Sequence, residues 1–81
     1  MNFHVQFTAR PSMLGVSFLK SRVLRPVRRA YNSGNYEKSA RLSRRSFRIF
    51  KDRDSLDILA RSHLRMENYD DAVNAYRIAR N

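Results

Sequence analysis

Apolar residues in this chain recur at three- and four-residue intervals along most of its length, the spacing that lines one face of a helix. From Ser12, just after Pro11, the residues Leu14, Val16, Phe18, Leu19, Val23 and Leu24 form a broad apolar side with Lys20, Arg22 and Arg25 at its margin. This predicts an amphipathic helix. Pro26 is expected to kink or end it near Arg25, because an interior proline lacks a backbone donor and crowds the preceding turn. A second helix is predicted from about Tyr36 to Phe50, with Tyr36, Ala40, Phe47 and Phe50 on its apolar side. Leu56, Leu59, Ala60 and His63 mark a third, and Ala72, Tyr76 and Ala79 a fourth, with a turn at Glu67-Asn68-Tyr69 between them. Asp54 is the expected N-cap of the third, with Asp57 three residues on, and Asp70 and Asp71 fall in the first turn of the fourth, where the helix dipole favours carboxylates.

Only the beginning of the chain departs from this spacing. Phe3, Val5 and Phe7 alternate with polar residues before Pro11, and because no second strand candidate follows, Met1 to Pro11 reads as an extended arm. Two glycines and two prolines in 81 residues are too few for the turns of a small β-sandwich or barrel. The expected fold is all-α, with four or five helices: residues 1–25 form a basic amphipathic N-terminal arm and helix, and residues 26–81 a helical repeat domain.

The repeat shows when Gly34-Asn35-Tyr36-Glu37-Lys38-Ser39 is set above Glu67-Asn68-Tyr69-Asp70-Asp71-Ala72, an offset of 33 residues. Leu56, Leu59, Ala60 and His63, followed by Ala72, Tyr76 and Ala79, resemble a tetratricopeptide repeat over about residues 53–81. Residues 20–52 resemble a degenerate copy. Val23, Val27 and Ala30 stand in its first helix, Pro26 stands where leucine is usual, and Ser39, Ser43 and Ser46 replace alanine, an aromatic and alanine. The resemblance implies antiparallel helical hairpins stacked as a short α-solenoid. Small residues at Ala60, Ala72 and Ala79 would let the helices approach, Leu59 and Tyr76 would fill the space beside them, and Tyr69 would plug the turn. Leu42, Phe47 and Phe50 are candidates to fill the layer that Ser43 leaves open. Asn81 falls about two turns into the last helix with no capping helix after it, so the segment reads as the N-terminal piece of a longer protein or as one whose partner supplies the cap.

Charge sharpens this picture. Seventeen Lys and Arg face seven Asp and Glu, a formal net charge of +10. Thirteen of those basic residues lie within residues 1–53 against only Glu37 and Asp52, so the excess belongs to the first two-thirds of the chain. Arg41, Arg44, Arg45 and Arg48 fall at i, i+3, i+4 and i+7 on one side of the second helix, with Lys38 beside them. Crowded guanidinium groups repel one another unless an anionic surface neutralises them. Lys20, Arg22, Arg25, Arg28 and Arg29 make the N-terminal arm a second basic contact.

Little in the sequence points to catalysis. There is no cysteine, hence no thiol nucleophile or thiolate metal site. Gly15 and Gly34 are isolated and belong to no phosphate-cradling loop. His4 and His63 lack ligand spacing, and His63 reads as a packing residue. Asp52, Asp54 and Asp57 are explained by helix capping without an acid/base role. The segment is therefore read as non-catalytic and free of cofactor and metal. Its expected role is a protein-interaction or scaffold module whose basic face docks an acidic protein, a downstream domain of the same chain or an anionic membrane surface, with homo-oligomerisation through the uncapped last helix as a further expectation. Two alternatives stay open: an accessory N-terminal domain of a larger enzyme, such as a bacterial surface-polysaccharide glycosyltransferase, and a nucleic-acid-binding helical protein. The latter is disfavoured because Tyr31, Tyr36, Phe47 and Phe50 are needed for packing. No apolar run approaches the roughly 20 residues that span a bilayer. The expected location is the cytoplasm or the periphery of a membrane, with mitochondria as the alternative because the acid-free N-terminus resembles a transit peptide.

Overall fold

A computed structural model describes the backbone of residues 4–80 and the side chains of residues 15–80. The expected arm residue Phe3, and the side chains of His4, Val5, Phe7, Ser12 and Leu14, lie outside that description. The described chain is all helical: α1 (His4–Asn32), α2 (Tyr36–Phe50), α3 (Arg53–Arg65) and α4 (Tyr69–Arg80). Two boundaries differ from expectation. α1 begins at His4 and not after Pro11, and it runs on through Pro26 to Asn32. Pro26 removes the donor that would meet the Arg22 carbonyl, but it lies on the exposed side of α1, where water can satisfy that group. On the other side Leu24 and Val27 are both buried, so packing crosses the expected boundary between residues 25 and 26.

The 33-residue offset is visible in the backbone. After α1, the Gly34 N–H donates to the Tyr31 carbonyl (3.1 Å) and the Asn35 N–H to the Ala30 carbonyl (2.9 Å). After α3, Glu67 donates to Leu64 (3.0 Å) and Asn68 to His63 (2.8 Å), the same two bonds moved along by one period. Both turns need a left-handed residue at the same place, supplied by Gly34 at φ +85° and by Glu67 at φ 64°. Lys51, also left-handed at φ 51°, closes α2 by donating to the Phe47 carbonyl (2.8 Å). The cap of α3 is Asp52 and not the expected Asp54: its carboxylate accepts from the Ser55 N–H (3.0 Å).

Consecutive helices pack against one another, and α1 also touches α3. The core has two parts. Leu24 and Val27 of α1 meet Ile58 of α3, flanked by Tyr31 and Leu42. Ala40 of α2, Leu56, Leu59 and Ala60 of α3 and Ala75 of α4 form the other, with Phe47, Met66 and Ala79 against it.

Between α2 and α3 the contact is made by serines. Ser39 and Ser62 share a hydroxyl hydrogen bond of 2.6 Å, and Ser46 and Ser55 one of 2.7 Å. From one bond to the other the chain advances seven residues along α2 and retreats seven along α3, so the two helices are antiparallel. Ser43, expected to leave a layer unfilled, is fully buried and donates to the Ala40 carbonyl at 3.1 Å. Of the residues expected to fill that layer, Phe47 packs against the core that holds Ala40, Leu56 and Leu59, and Leu42 packs against Leu24, Val27 and Ile58.

Candidate functional site

The arginine row lies on α2, which is capped at both ends. Asn35 caps its start, its side-chain oxygen accepting from the Lys38 N–H (3.3 Å), and the left-handed Lys51 ends it. Ser39, Ala40, Ser43 and Ser46 bury one side of α2. Helical spacing then turns Arg41, Arg44, Arg45 and Arg48 outward, and all four are exposed, as are Lys38 and Glu37. From Arg41 to Arg48 the row rises about 10 Å along the axis.

Ion pairing separates this row from the other basic groups. Among the described residues, Lys20 bridges Asp52 (3.6 Å) and Asp54 (3.3 Å), and Arg61 pairs with Asp57 (3.2 Å). None of the α2 arginines has a carboxylate within pairing distance among the described residues. Lys20, expected as part of the contact arm, instead ties α1 to the α2–α3 connection, where the Asp52 side chain is only 8% exposed. Arg22, Arg25, Arg28 and Arg29 of α1 are exposed. Arg25 and Arg28 border a shallow groove that also contains Asp54, and Arg28 shares a second groove with Asp57 and Arg61, so acids of α3 already sit near them.

The expected packing residues divide. Leu56, Leu59, Ala60, His63 and Ala72 are buried, and Ala79 packs against the core. His63 lies with its Nδ1 3.4 Å from the Asn68 side-chain amide, and its carbonyl receives the turn bond from Asn68. Tyr69 and Tyr76 do not fill the interior: they are 58% and 40% exposed, and Ala75 takes the buried position on α4. Tyr69 therefore does not plug the turn. The reason is geometric, since α4 turns its alanines toward α3 and no other described helix lies against its opposite side.

Sequence reading missed a cation–aromatic cluster that joins the first turn to α3. Arg65 lies 5.9 Å from the Tyr31 ring and 5.7 Å from the Tyr36 ring, which meet edge to face at 5.3 Å. Tyr31, and after it Tyr36, holds the pKa of the Arg65 guanidinium above its ordinary value. One period on, Tyr36 recurs as Tyr69 but Tyr31 gives way to Leu64, and one period back Arg65 corresponds to Asn32, so the cluster is not repeated and was not readable from spacing.

No group of three or more metal-ligating side chains comes together among the described residues. No described helix is long and apolar enough to cross a membrane. The chain matches no protein-family model, no curated protein and no solved structure.

Proposed function

We propose that this chain is a non-catalytic interaction module, built of two tetratricopeptide-like helical hairpins, that docks the acidic surface of a partner protein through α2. The carrying observation is the exposed row Arg41, Arg44, Arg45 and Arg48, with no carboxylate paired to it among the described residues. Guanidinium groups fixed at helical spacing suit carboxylates spaced similarly along an acidic helix, each able to take two parallel hydrogen bonds. Support for the hairpin assignment comes from the duplicated turn bonds and from contact between α1 and α3, the first helices of the two units.

A second reading has its own observation. Val16, Phe18 and Leu19 of α1 are more than half exposed beside Arg22 and Arg25, the combination that favours an anionic lipid surface. Tyr31 and Tyr36 are engaged with Arg65, and Phe47 packs on the core with Lys51 5.5 Å from its ring, so of the α2 aromatics only the half-buried Phe50 is left for an unstacked base.

The test compares wild type with the variant Arg41→Gln/Arg44→Gln/Arg45→Gln/Arg48→Gln. Binding is measured to polyglutamate, to vesicles containing phosphatidylserine and to single-stranded RNA at two salt concentrations. The proposal expects salt-sensitive binding to polyglutamate that weakens by at least about tenfold in the variant while helicity is retained. Unchanged polyglutamate affinity in the folded variant refutes it. Stronger binding to vesicles that survives the four substitutions transfers the contact to α1, and preferential RNA binding replaces the acidic protein with nucleic acid.

A further inference from the structure

The 33-residue period places each position of α2 opposite a counterpart on α4. Tyr36, Ala40, Ser43 and Phe47 become Tyr69, Val73, Tyr76 and Arg80. On α2 this stripe is covered: Ser43 is fully buried, Ala40 and Phe47 pack with Leu56 and Leu59 of α3, and Tyr36 lies against Arg65. On α4 no described residue covers the same stripe. Val73 is 49% exposed, Tyr69 and Tyr76 are comparably open, and a shallow groove runs among Val73, Tyr76, Arg77 and Arg80. The opposite side of α4 is already used, with Ala72 and Ala75 buried.

Charge along α4 selects what can lie there. Acids stand in its first turn at Asp70 and Asp71, and bases in its last turn at Arg77 and Arg80. Asp70 and Arg77 are seven residues apart and therefore flank the stripe on the same side. An antiparallel copy of this helix brings each Asp70 to the Arg77 of its partner. It also sets Val73 against the opposing Tyr76, puts Tyr69 against the opposing Arg80, and opposes the helix dipoles. A parallel copy would place like charges side by side.

Head-to-tail stacking, the other way one copy could cover another, meets an obstacle. The α3 residues that close on α2 include Ser55 and Ser62, both fully buried. Their counterparts on the outer side of α1 are Arg22 and Arg29, too bulky for so close a seam and also of the same sign as Arg77 and Arg80. The two ends of the repeat therefore do not match each other, whereas α4 matches itself.

We infer that α4 is the interface of a two-fold homodimer, its Tyr69–Val73–Tyr76–Arg80 stripe pairing antiparallel with the same stripe of a second copy. This interface is closed and isologous, so it yields dimers and not filaments. It lies on a different helix from the arginine row and does not depend on what that row binds. A single pair of four-turn or shorter stripes is small by the standard of stable interfaces, which sets the expected dissociation constant at roughly 10–100 μM.

Sedimentation equilibrium of the full chain from about 5 to 500 μM tests this range. Wild type is expected to shift from monomer to dimer, and Val73→Glu/Tyr76→Glu to remain monomeric with unchanged circular dichroism. Asp70→Arg and Arg77→Asp singly should each weaken dimerisation by about tenfold or more, and the double reversal should bring it back to within a few-fold of wild type. Because Asp70→Arg disturbs the helix start equally in the single and double variants, recovery reports the pairing across the two-fold axis. A wild-type chain that stays monomeric throughout overturns the proposal, as does a dimer unaffected by Val73→Glu/Tyr76→Glu. Dimers sensitive to those substitutions but without recovery in the double reversal overturn the antiparallel arrangement.

Discussion

Ser46 and Ser55 provide a sharp test of how this chain holds two helices together. Both side chains are fully buried, and among the described residues their 2.7 Å bond is the one side-chain hydroxyl interaction of either. Ser46→Ala leaves the Ser55 hydroxyl in a dry seam with its partner gone, a loss of about 1–3 kcal/mol for an unsatisfied buried group. Alanine's better helix propensity offsets roughly 0.5 kcal/mol of this. The net expectation is about 1–2 kcal/mol, or roughly 4–15 °C in the thermal midpoint of a domain this size. Ser55→Ala should cost about the same. The double variant removes both hydroxyls at once and should return to about wild-type stability, giving a coupling of roughly 2–4 kcal/mol in a urea-denaturation cycle. The other seam bond supplies the control: with Ser39→Ala, the Ser62 hydroxyl keeps the Ile58 carbonyl at 2.7 Å, so the cost should fall below about 1 kcal/mol. If Ser46→Ala and Ser55→Ala simply add, the two hydroxyls do not act as a pair and the argument for the seam fails.

Two further substitutions test the backbone. Gly34→Ala meets no atom within 4 Å but must hold φ near +85°, so it should destabilise by about 1 kcal/mol, whereas Glu67→Gly relieves the matching strain at φ 64° and should stabilise by up to about 1 kcal/mol; denaturant midpoints that move the same way for both would contradict the equivalence of the turns. Pro26→Ala restores a helical donor on the exposed side of α1 and should raise stability by about 1–3 kcal/mol, measured by urea unfolding. A loss of stability would mean that the ring makes a contact worth more than the missing bond.

Helical spacing made α2 legible from Tyr36 to Phe50, and the offset between Asn35-Tyr36 and Asn68-Tyr69 located both turns. Pro26 was misleading because proline preference is local, while Leu24 and Val27 bury side chains on either side of it and hold the helix through it. Tyr69 and Tyr76 were assigned to the interior from a resemblance, but whether an aromatic is covered depends on what packs over it, which a helical period does not state. The serine seam did have a readable sign: Ser39, Ser43 and Ser46 share one face of α2, and Ser55 and Ser62 share one of α3. Ser39, Ser43 and Ser46 stood out as replacements at repeat positions, but Ser55 and Ser62 did not, although paired hydroxyls can line a close contact as alanines do. For the candidate site, residue spacing gave the direction of the arginines, and only the tertiary arrangement showed that Lys20 is paired while they are not.

Because, among the described residues, α4 rests on α3 alone, whereas α3 also meets α1 and α2, the loss of one outer helix does not remove the contacts of the remaining three. Partial opening from that edge is therefore easier than separation through the middle, as in other arrays whose units hold only their neighbours. Nearly every close approach joins segments adjacent in sequence, so little chain must be looped to bring them together. Such a molecule gathers itself quickly and gives way first at its margin, with α3 the last strut to let go.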